Sequence, residues 1–203
     1  FLKNPPVGKD LLRWKYQRYV KEYCRTIRSV DEQVGRLLDY LEEKGVLDNT
    51  VIVYTSDQGF LLGEHGLYDK RFMYEESFRT PLIISCPSLV KKHSVCKELV
   101  QNIDLAPTFL SLAGVEVPKE MSGRSLLPLF KNGKAENWRN ELYYHFYDYP
   151  AVGSVRKHDG IRTKRYKLIH WHGEGSGNDE AIDFWELYDL KKDVMEVNNV
   201  YDN

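Results

Sequence analysis

Between Asp10 and Lys44 the apolar positions recur at helical spacing. Ile27, Val30, Val34, Leu37, Leu38 and Leu41 share one face, and Arg28, Asp31, Glu32, Arg36 and Asp39 face away. The pattern predicts a long helical region stopped at Gly45, a residue suited to the left-handed position after a helix. Its first half, Leu11 to Tyr23, is basic and aromatic and could form a separate helix; Trp14, Tyr16, Tyr19 and Tyr23 read as packing residues, with substrate contact as the alternative. The period then shortens. Val51-Ile52-Val53-Tyr54 and Leu82-Ile83-Ile84-Ser85 are β-rich runs, the second stopped by Pro87. Asp104 to Gly114 reads as a short helix, with Asp104 as N-cap, Pro107 in the first turn and Gly114 at the end.

Beyond the turn-rich stretch Lys131 to Asn137 the pattern is again that of strands. They run over Glu141–Tyr149, Gly160–Trp171 and Phe184–Tyr188, with a hairpin loop at Gly173–Asp179. Asp193 to Asn203 is weakly patterned, and a closing helix there is an open alternative. A long helix followed by a buried strand is half of a β-α-β unit, so the first part is expected to be α/β with a mostly parallel sheet covered by helices. The second part is expected to be a small antiparallel sheet. The predicted division is 1–134 and 135–203.

Composition narrows the partners. Lys+Arg 29 against Asp+Glu 30 leaves a net charge of −1, which gives no bulk attraction to nucleic acid or an anionic membrane. No apolar run approaches the ~18 residues that span a bilayer. Three cysteines, Cys24, Cys86 and Cys96, are too few for a disulfide framework, although Cys86 and Cys96 could pair. The chain begins at Phe1 without a signal-peptide pattern and reads as a fragment or a processed product.

The chemistry concentrates in residues 55–80, between the two β-rich runs. Asp57, Gln58, Glu64, His65, Asp69, Lys70, Arg71, Glu75, Glu76 and Arg79 crowd there among Gly59, Gly63 and Gly66. Long connections in compact domains are usually functional or disordered, and the aromatics Phe60, Tyr68, Phe72, Tyr74 and Phe78 argue for order. Asp57 and Gln58 follow the end of a buried strand, where ligands of open α/β sheets gather. A carboxylate beside an amide carbonyl suits a hard cation such as calcium or magnesium and suits zinc poorly. Lys70 reads as an anion contact, or as a surface lysine paired to Asp69 or Glu75. His65 reads as an acid or a structural histidine. Arg71 and Glu75 either orient Lys70 or touch substrate, and Arg79 reads as a structural ion pair. His158, in Arg156-Lys157-His158-Asp159-Gly160, reads from its neighbours as part of a solvated basic turn. His170 and His172 alternate around Trp171, and with no third ligand at metal spacing they read as structural or rim residues.

Ser56-Asp57-Gln58-Gly59, Gly63-Glu64-His65-Gly66, Asp69-Lys70 and Arg79-Thr80-Pro81-Leu82-Ile83, in that order, resemble the metal- and sulfate-binding loop of type I sulfatases in the alkaline phosphatase superfamily. Further similar segments are Gln101 to Gly114, Ser122 to Leu129, Arg162 to Ile169 and Glu186 to Leu190. The resemblance implies an alkaline-phosphatase-like core, calcium on Asp57 and Gln58, and a sulfate contact from Lys70, thirteen residues beyond Asp57. It brings His65 to the site as substrate contact or acid, and His158 with Arg71 and Glu75 towards the sugar. The family's nucleophile is a formylglycine made within a (C/S)-x-P-x-R motif. Cys24 lacks the proline of that motif, and Ser85-Cys86-Pro87-Ser88-Leu89 lacks its arginine.

The expected whole is therefore the C-terminal portion of a calcium-dependent sulfatase acting on a sulfated carbohydrate, closest in pattern to N-acetylglucosamine-6-sulfatases and glycosaminoglycan sulfatases. Alone it is expected to be inactive, and either joined to the missing N-terminal region or self-associated. A periplasmic, secreted or lysosomal location goes with that family. The alternatives are a phosphodiesterase or phosphonate monoester hydrolase of the same superfamily, and a non-catalytic sugar-binding module.

Overall fold

The computed structural model describes residues 3–4, 6–149, 155–175 and 180–202. Helix α1 is a single element, Gly8–Glu43, of 36 residues. It ends as its sequence suggests, with Gly45 at φ +65° and its N–H on the Glu42 carbonyl, 2.8 Å away. None of its residues is buried. Leu12 is 64% and Leu37 56% exposed, so among the described residues much of its apolar stripe is uncovered. Its first half does reach the loop: Tyr19 packs edge-on against Tyr68 at 5.3 Å, and Tyr23 stacks on Phe60 at 6.0 Å.

Strands β1 (Ile52–Thr55) and β4 (Leu82–Ser85) pair antiparallel, with Ile52 opposite Ser85 and Thr55 opposite Leu82. The mostly parallel sheet expected of the first part is not what this pair forms. The reason is local: a parallel pair needs a crossover that carries the chain back to the starting end. Residues 56–81 instead leave and re-enter at one end, where the Thr55 hydroxyl donates to the Pro81 carbonyl at 2.8 Å. Among the described residues, therefore, no parallel sheet is present. Within the connection lie the short pair β2 (Leu61–Leu62) and β3 (Tyr68–Asp69), and helix α2 (Glu75–Phe78).

Helices α3 (Leu105–Leu112) and α4 (Leu127–Phe130) follow. Asp104 does not cap α3 through its side chain. Its buried carboxylate accepts from the backbone N–H groups of Gln101 and Arg124, each at 2.8 Å, and pairs with the Arg139 guanidinium. Leu126, Leu129 and Phe130 form one apolar cluster with Leu82, Ile84 and Trp138 against them.

The C-terminal sheet is antiparallel in the order β5-β6-β7-β8: Glu141–Phe146, His158–Thr163, Tyr166–Gly173 and Ile182–Asp189. The run read as one strand over 160–171 is in fact a hairpin. Its tight turn is built on the Thr163 hydroxyl, which accepts from the Arg165 and Tyr166 N–H groups. Part of the expected loop 173–179, residues 176–179, lies outside the described residues. No helix closes the described part of the chain. Residues 190–202 are instead tied to β8, for example by Val200 N–H on the Leu187 carbonyl at 2.9 Å. On β7 the inward positions are Lys167, Ile169 and Trp171, and the last two join Met73, Tyr74 and Tyr188 in a second core cluster. Gly160 permits this docking, since a Cβ there would sit 2.6 Å from Met73 Sδ and 2.3 Å from the Leu168 carbonyl oxygen. All three cysteines are free, with Cys86 buried. No helix among the described residues is long and apolar enough to cross a membrane.

Candidate active site

Asp57 and Gln58 leave β1 on a backbone held from two sides. The Asn102 amide donates to the carbonyls of Ser56 and Asp57 at 3.1 and 2.9 Å. On the other side Gly59 and Phe60 donate to the carbonyls of Ser77 and Glu76 at 2.8 and 2.6 Å. Only glycine allows that approach, because a Cβ at position 59 would lie 2.0 Å from the Glu76 oxygen. The two side chains face a broad cavity of about 1580 Å³ between this loop and the C-terminal sheet. Among the described residues, the side-chain partner of Asp57 is the Ser56 hydroxyl at 3.4 Å, and no cation pairs with its carboxylate.

Lys70 lines the same cavity. It stands between two non-glycine residues in the left-handed region, Asp69 at φ +82° and Arg71 at φ +88°. Such conformations are costly and persist where surrounding contacts impose them. Here the Arg71 guanidinium grips the Asp69 carboxylate, and the Tyr144 hydroxyl donates to the Arg71 carbonyl at 3.2 Å. Burial holds the Tyr144 hydroxyl at a pKa of about 12, so it stays a donor. Asp69 is thus committed to Arg71. Glu75, the other expected partner of Lys70, takes Arg162 at 3.1 Å and Lys167 at 2.9 Å. Lys70 is left without an ion pair among the described residues.

Glu75 belongs to a buried charge network. Lys167, fully buried, reaches Glu75, Glu196 at 2.7 Å and the Met73 carbonyl at 2.7 Å. The second Glu196 oxygen accepts from the Glu75 N–H at 2.7 Å. Burial would raise the Glu75 carboxyl, but the Arg162 hydrogen bonds and the Lys167 charge outweigh it and hold it below its usual range. For Glu196 burial wins over Lys167, and its carboxyl is raised.

Two predicted site residues do not line the cavity. His65, at φ +56°, stacks on the Tyr74 ring at 4.2 Å with Nε2 3.5 Å from a Glu76 oxygen. His158 is fully buried, with ring centroids 4.3 Å from Trp171 and 5.4 Å from Phe146. Its Nδ1–H donates to the Arg156 carbonyl at 2.8 Å, and burial lowers its pKa to about 4, so the imidazole is neutral near pH 7. Asp57, Gln58, Lys70, Arg71 and Glu75 do share the cavity wall.

Asn102, Arg162, Lys167 and Glu196 were not singled out from the sequence. Lys167 carried a signal, since strand alternation puts it on the same face as Ile169 and Trp171. Glu196 carried none, because its segment has no period. The uncompensated carboxylate of Asp57 beside the Gln58 carbonyl fits a hard cation with oxygen ligands, and a chain offering these two side chains would hold calcium only with further ligands. The amide of Asn102 is already spent on backbone.

The chain matches two family models: Sulfatase over residues 3–115, and N-sulphoglucosamine sulphohydrolase, C-terminal, over residues 63–203. It is 54% identical over 196 residues to N-acetylglucosamine-6-O-sulfatase of Bacteroides thetaiotaomicron, covering 96% of this chain and 34% of that relative. It is 37% identical over 161 residues to the multifunctional alkaline phosphatase superfamily protein PehA of Trinickia caryophylli, covering 73% of this chain and 31% of that protein. Among solved structures it is similar to a protein in complex with its substrate D-glucosamine-2-N,6-O-disulfate. The TM-score is 0.91 and the identity 52%, over 97% of this chain and 39% of that one.

Proposed function

Because this chain belongs to the sulfatase family, we propose that it supplies the C-terminal portion of a calcium-dependent enzyme hydrolysing sulfate esters of carbohydrates. The chain spans about a third of the length of the two named relatives, 34% and 31%. One observation carries the reading: Asp57, Gln58 and Lys70 face one cavity, and neither charge is neutralised by a neighbour among the described residues. The neighbouring carboxylates Asp69 and Glu75 are spent on Arg71, Arg162 and Lys167, which leaves Asp57 and Lys70 free to meet a ligand.

Asp57 and Gln58 would hold calcium, which when bound draws charge from the sulfate ester. Lys70 would donate to a sulfate oxygen and stabilise charge building on the leaving oxygen. Arg71 keeps Lys70 aimed through its grip on Asp69. The burial of His65 beside Glu76 supports a positioning role for it, and that of Glu75 and His158 supports roles behind the sugar site. The nucleophile, a formylglycine, would come from the region upstream. That region would also cover the apolar stripe of α1, and self-association through the same stripe is the alternative. The 1–134 and 135–203 units would then act as one wall, joined by the Asp104–Arg139 pair and by Trp138 Nε1–H on the Leu99 carbonyl. A periplasmic, secreted or lysosomal setting belongs to the same proposal.

Identity to the N-acetylglucosamine-6-O-sulfatase supports a 6-sulfated N-acetylglucosamine as substrate. The likeness to the solved phosphonate monoester hydrolase of Agrobacterium radiobacter, at 27% identity and a TM-score of 0.68 over 86% of this chain and 35% of that one, supports a phosphodiesterase or phosphonate monoester hydrolase as second reading. In the longer protein carrying this chain, Asp57→Ala is expected to lose bound calcium and nearly all sulfate release while retaining its fold. Unchanged calcium content, measured by elemental analysis, rejects the assignment. The 203-residue chain alone is expected to release no sulfate from aryl sulfates or sulfated sugars.

A further inference from the structure

The outward face of the C-terminal sheet gathers imidazoles and carboxylates that the cavity does not use. His170 and His172, two residues apart on β7, point to the same face. Asp159 lies directly opposite His170 on β6. From these positions we propose that Asp159, His170 and His172 form a binding site for a divalent transition metal, of which zinc is the best match. None of the three lines the cavity holding Asp57 and Lys70.

Three features of geometry carry this. First, one ligand atom from each residue can be chosen so that all lie within 4.8 Å of one another. Asp159 Oδ1 is 2.8 Å from His172 Nε2 and 3.9 Å from His170 Nδ1. Ligands at about 2.0–2.2 Å around zinc stand roughly 3–3.5 Å apart, so these separations bracket a shared centre. Second, the short His172–Asp159 approach is not a hydrogen bond. His172 Nε2 is enclosed and has no hydrogen-bond partner, so its lone pair or proton is not aimed at the carboxylate. Third, the orienting contacts expected around a ligating imidazole are in place. His170 Nε2 is 2.8 Å from Asp183 Oδ1 on β8, which directs the proton to Nε2 and leaves Nδ1 bare towards Asp159. The His170 ring also lies flat on Trp185, 4.0 Å away at an interplanar angle of 5°.

Two imidazoles and one carboxylate form a three-ligand set that leaves a position open for water or a fourth donor. His145 stands beside the cluster, opposite Asp159 on β5, with its ring centroid 6.2 Å from that of His172. The nitrogen donors distinguish this site from the oxygen pair at Asp57 and Gln58, so calcium is not its ion. The inference stands or falls independently of the sulfatase reading.

The test uses the polypeptide carrying this chain, free of any histidine tag and stripped with chelator. It is titrated with zinc chloride by calorimetry, and with cobalt chloride while the visible spectrum is followed. One zinc per chain is expected to bind, and calcium in excess should not displace it. Asp57→Ala should keep that zinc. The double variant His170→Ala/His172→Ala should lose it, and Asp183→Asn should weaken it about tenfold, the scale of lost orienting contacts. Should the double variant fail to fold, Asp159→Asn read by the cobalt spectrum decides: a changed spectrum supports the site and an unchanged one rejects it. Zinc binding that survives in a folded double variant, or none at micromolar metal in the wild type, overturns the proposal.

Discussion

Lys70 and Lys167 show two ways in which this fold handles charge. Lys167 is fully buried and meets two carboxylates and a carbonyl within 2.9 Å. Lys70 stands on the cavity wall with its candidate partners drawn away, Asp69 to Arg71 and Glu75 to Arg162 and Lys167. A buried charge with every bond made is architecture. A half-buried one on a cavity wall, whose neighbours are occupied elsewhere, is available to a ligand. The two lysines should therefore fail in opposite ways.

The largest effect belongs to Lys167. Lys167→Met leaves Glu196 buried without its cation, and removal of one member of a buried pair costs about 3–5 kcal/mol. Urea unfolding is expected to show that loss, and Lys167→Met/Glu196→Gln should recover part of it by removing the stranded charge. A single variant as stable as wild type would mean that the network is not the tie between α2 and β7 that its geometry describes.

His158 extends the comparison to pH. Its folded pKa lies near 4, against 6.5 for the free side chain, because burial disfavours the charged ring and outweighs the Arg156 carbonyl and the Asp159 charge. As pH falls, the unfolded chain binds the proton first. Stability from the neutral ring is thus complete above about 6.5 and is lost as pH falls towards 4, by about 3 kcal/mol in all. His158→Phe keeps a ring against Trp171 and should flatten the unfolding free energy across that window. An unaltered acid slope in this variant assigns the limb to other groups. If His158 touched the sugar directly, His158→Phe would cut turnover as deeply as Lys70→Ala, and a smaller loss is expected.

For Lys70 the signature reverses. In the longer enzyme Lys70→Ala should lower turnover about 100-fold, as for removal of one preorganised electrostatic contact. Its unfolding free energy should stay within about 0.5 kcal/mol of wild type. Lys70→Arg should not restore the rate, because a planar fork does not reproduce a compact ammonium. A stability loss like that of Lys167→Met would place Lys70 among the structural charges.

How much of this could be read beforehand follows the range of the interactions. Helix α1, β1, β4 and the inward face of β7 follow from periodicity, a local property of the chain. The antiparallel pairing of β1 and β4 does not, since it depends on where residues 56–81 return. The β6–β7 turn was hidden because Thr163-Lys164-Arg165-Tyr166 contains no glycine, proline or asparagine; a side-chain hydroxyl makes the turn instead. On the cavity wall, Asp57, Gln58 and Lys70 stand out in the sequence through the resemblance and their place after β1, and the structure brings the three to that wall. The commitment of Glu75 was not, because its backbone meets Glu196, 121 positions away in a segment without pattern. The apolar stripe of α1 was legible too, but not that none of its residues is buried among the described residues.

The smallest effect expected is at Asn102, which touches neither lysine yet bears on the difference between them. Its amide holds the Ser56 and Asp57 carbonyls, so it fixes backbone from which the proposed calcium ligands project. The residue is exposed, and water can replace the lost bonds. Asn102→Ala should therefore cost no more than about 1 kcal/mol of stability. Calcium affinity in the longer protein should fall roughly 10-fold, the low end for a lost orienting contact, and far less than in Asp57→Ala. Asn102→Asp sharpens the point, because a carboxylate facing two carbonyl oxygens repels them where the amide attracted. It should weaken calcium more than Asn102→Ala if backbone positioning is the role. If instead the added negative charge tightened calcium, Asn102 would lie close enough to the ion to count as a ligand position, and the amide's present bonds would be those of a resting state.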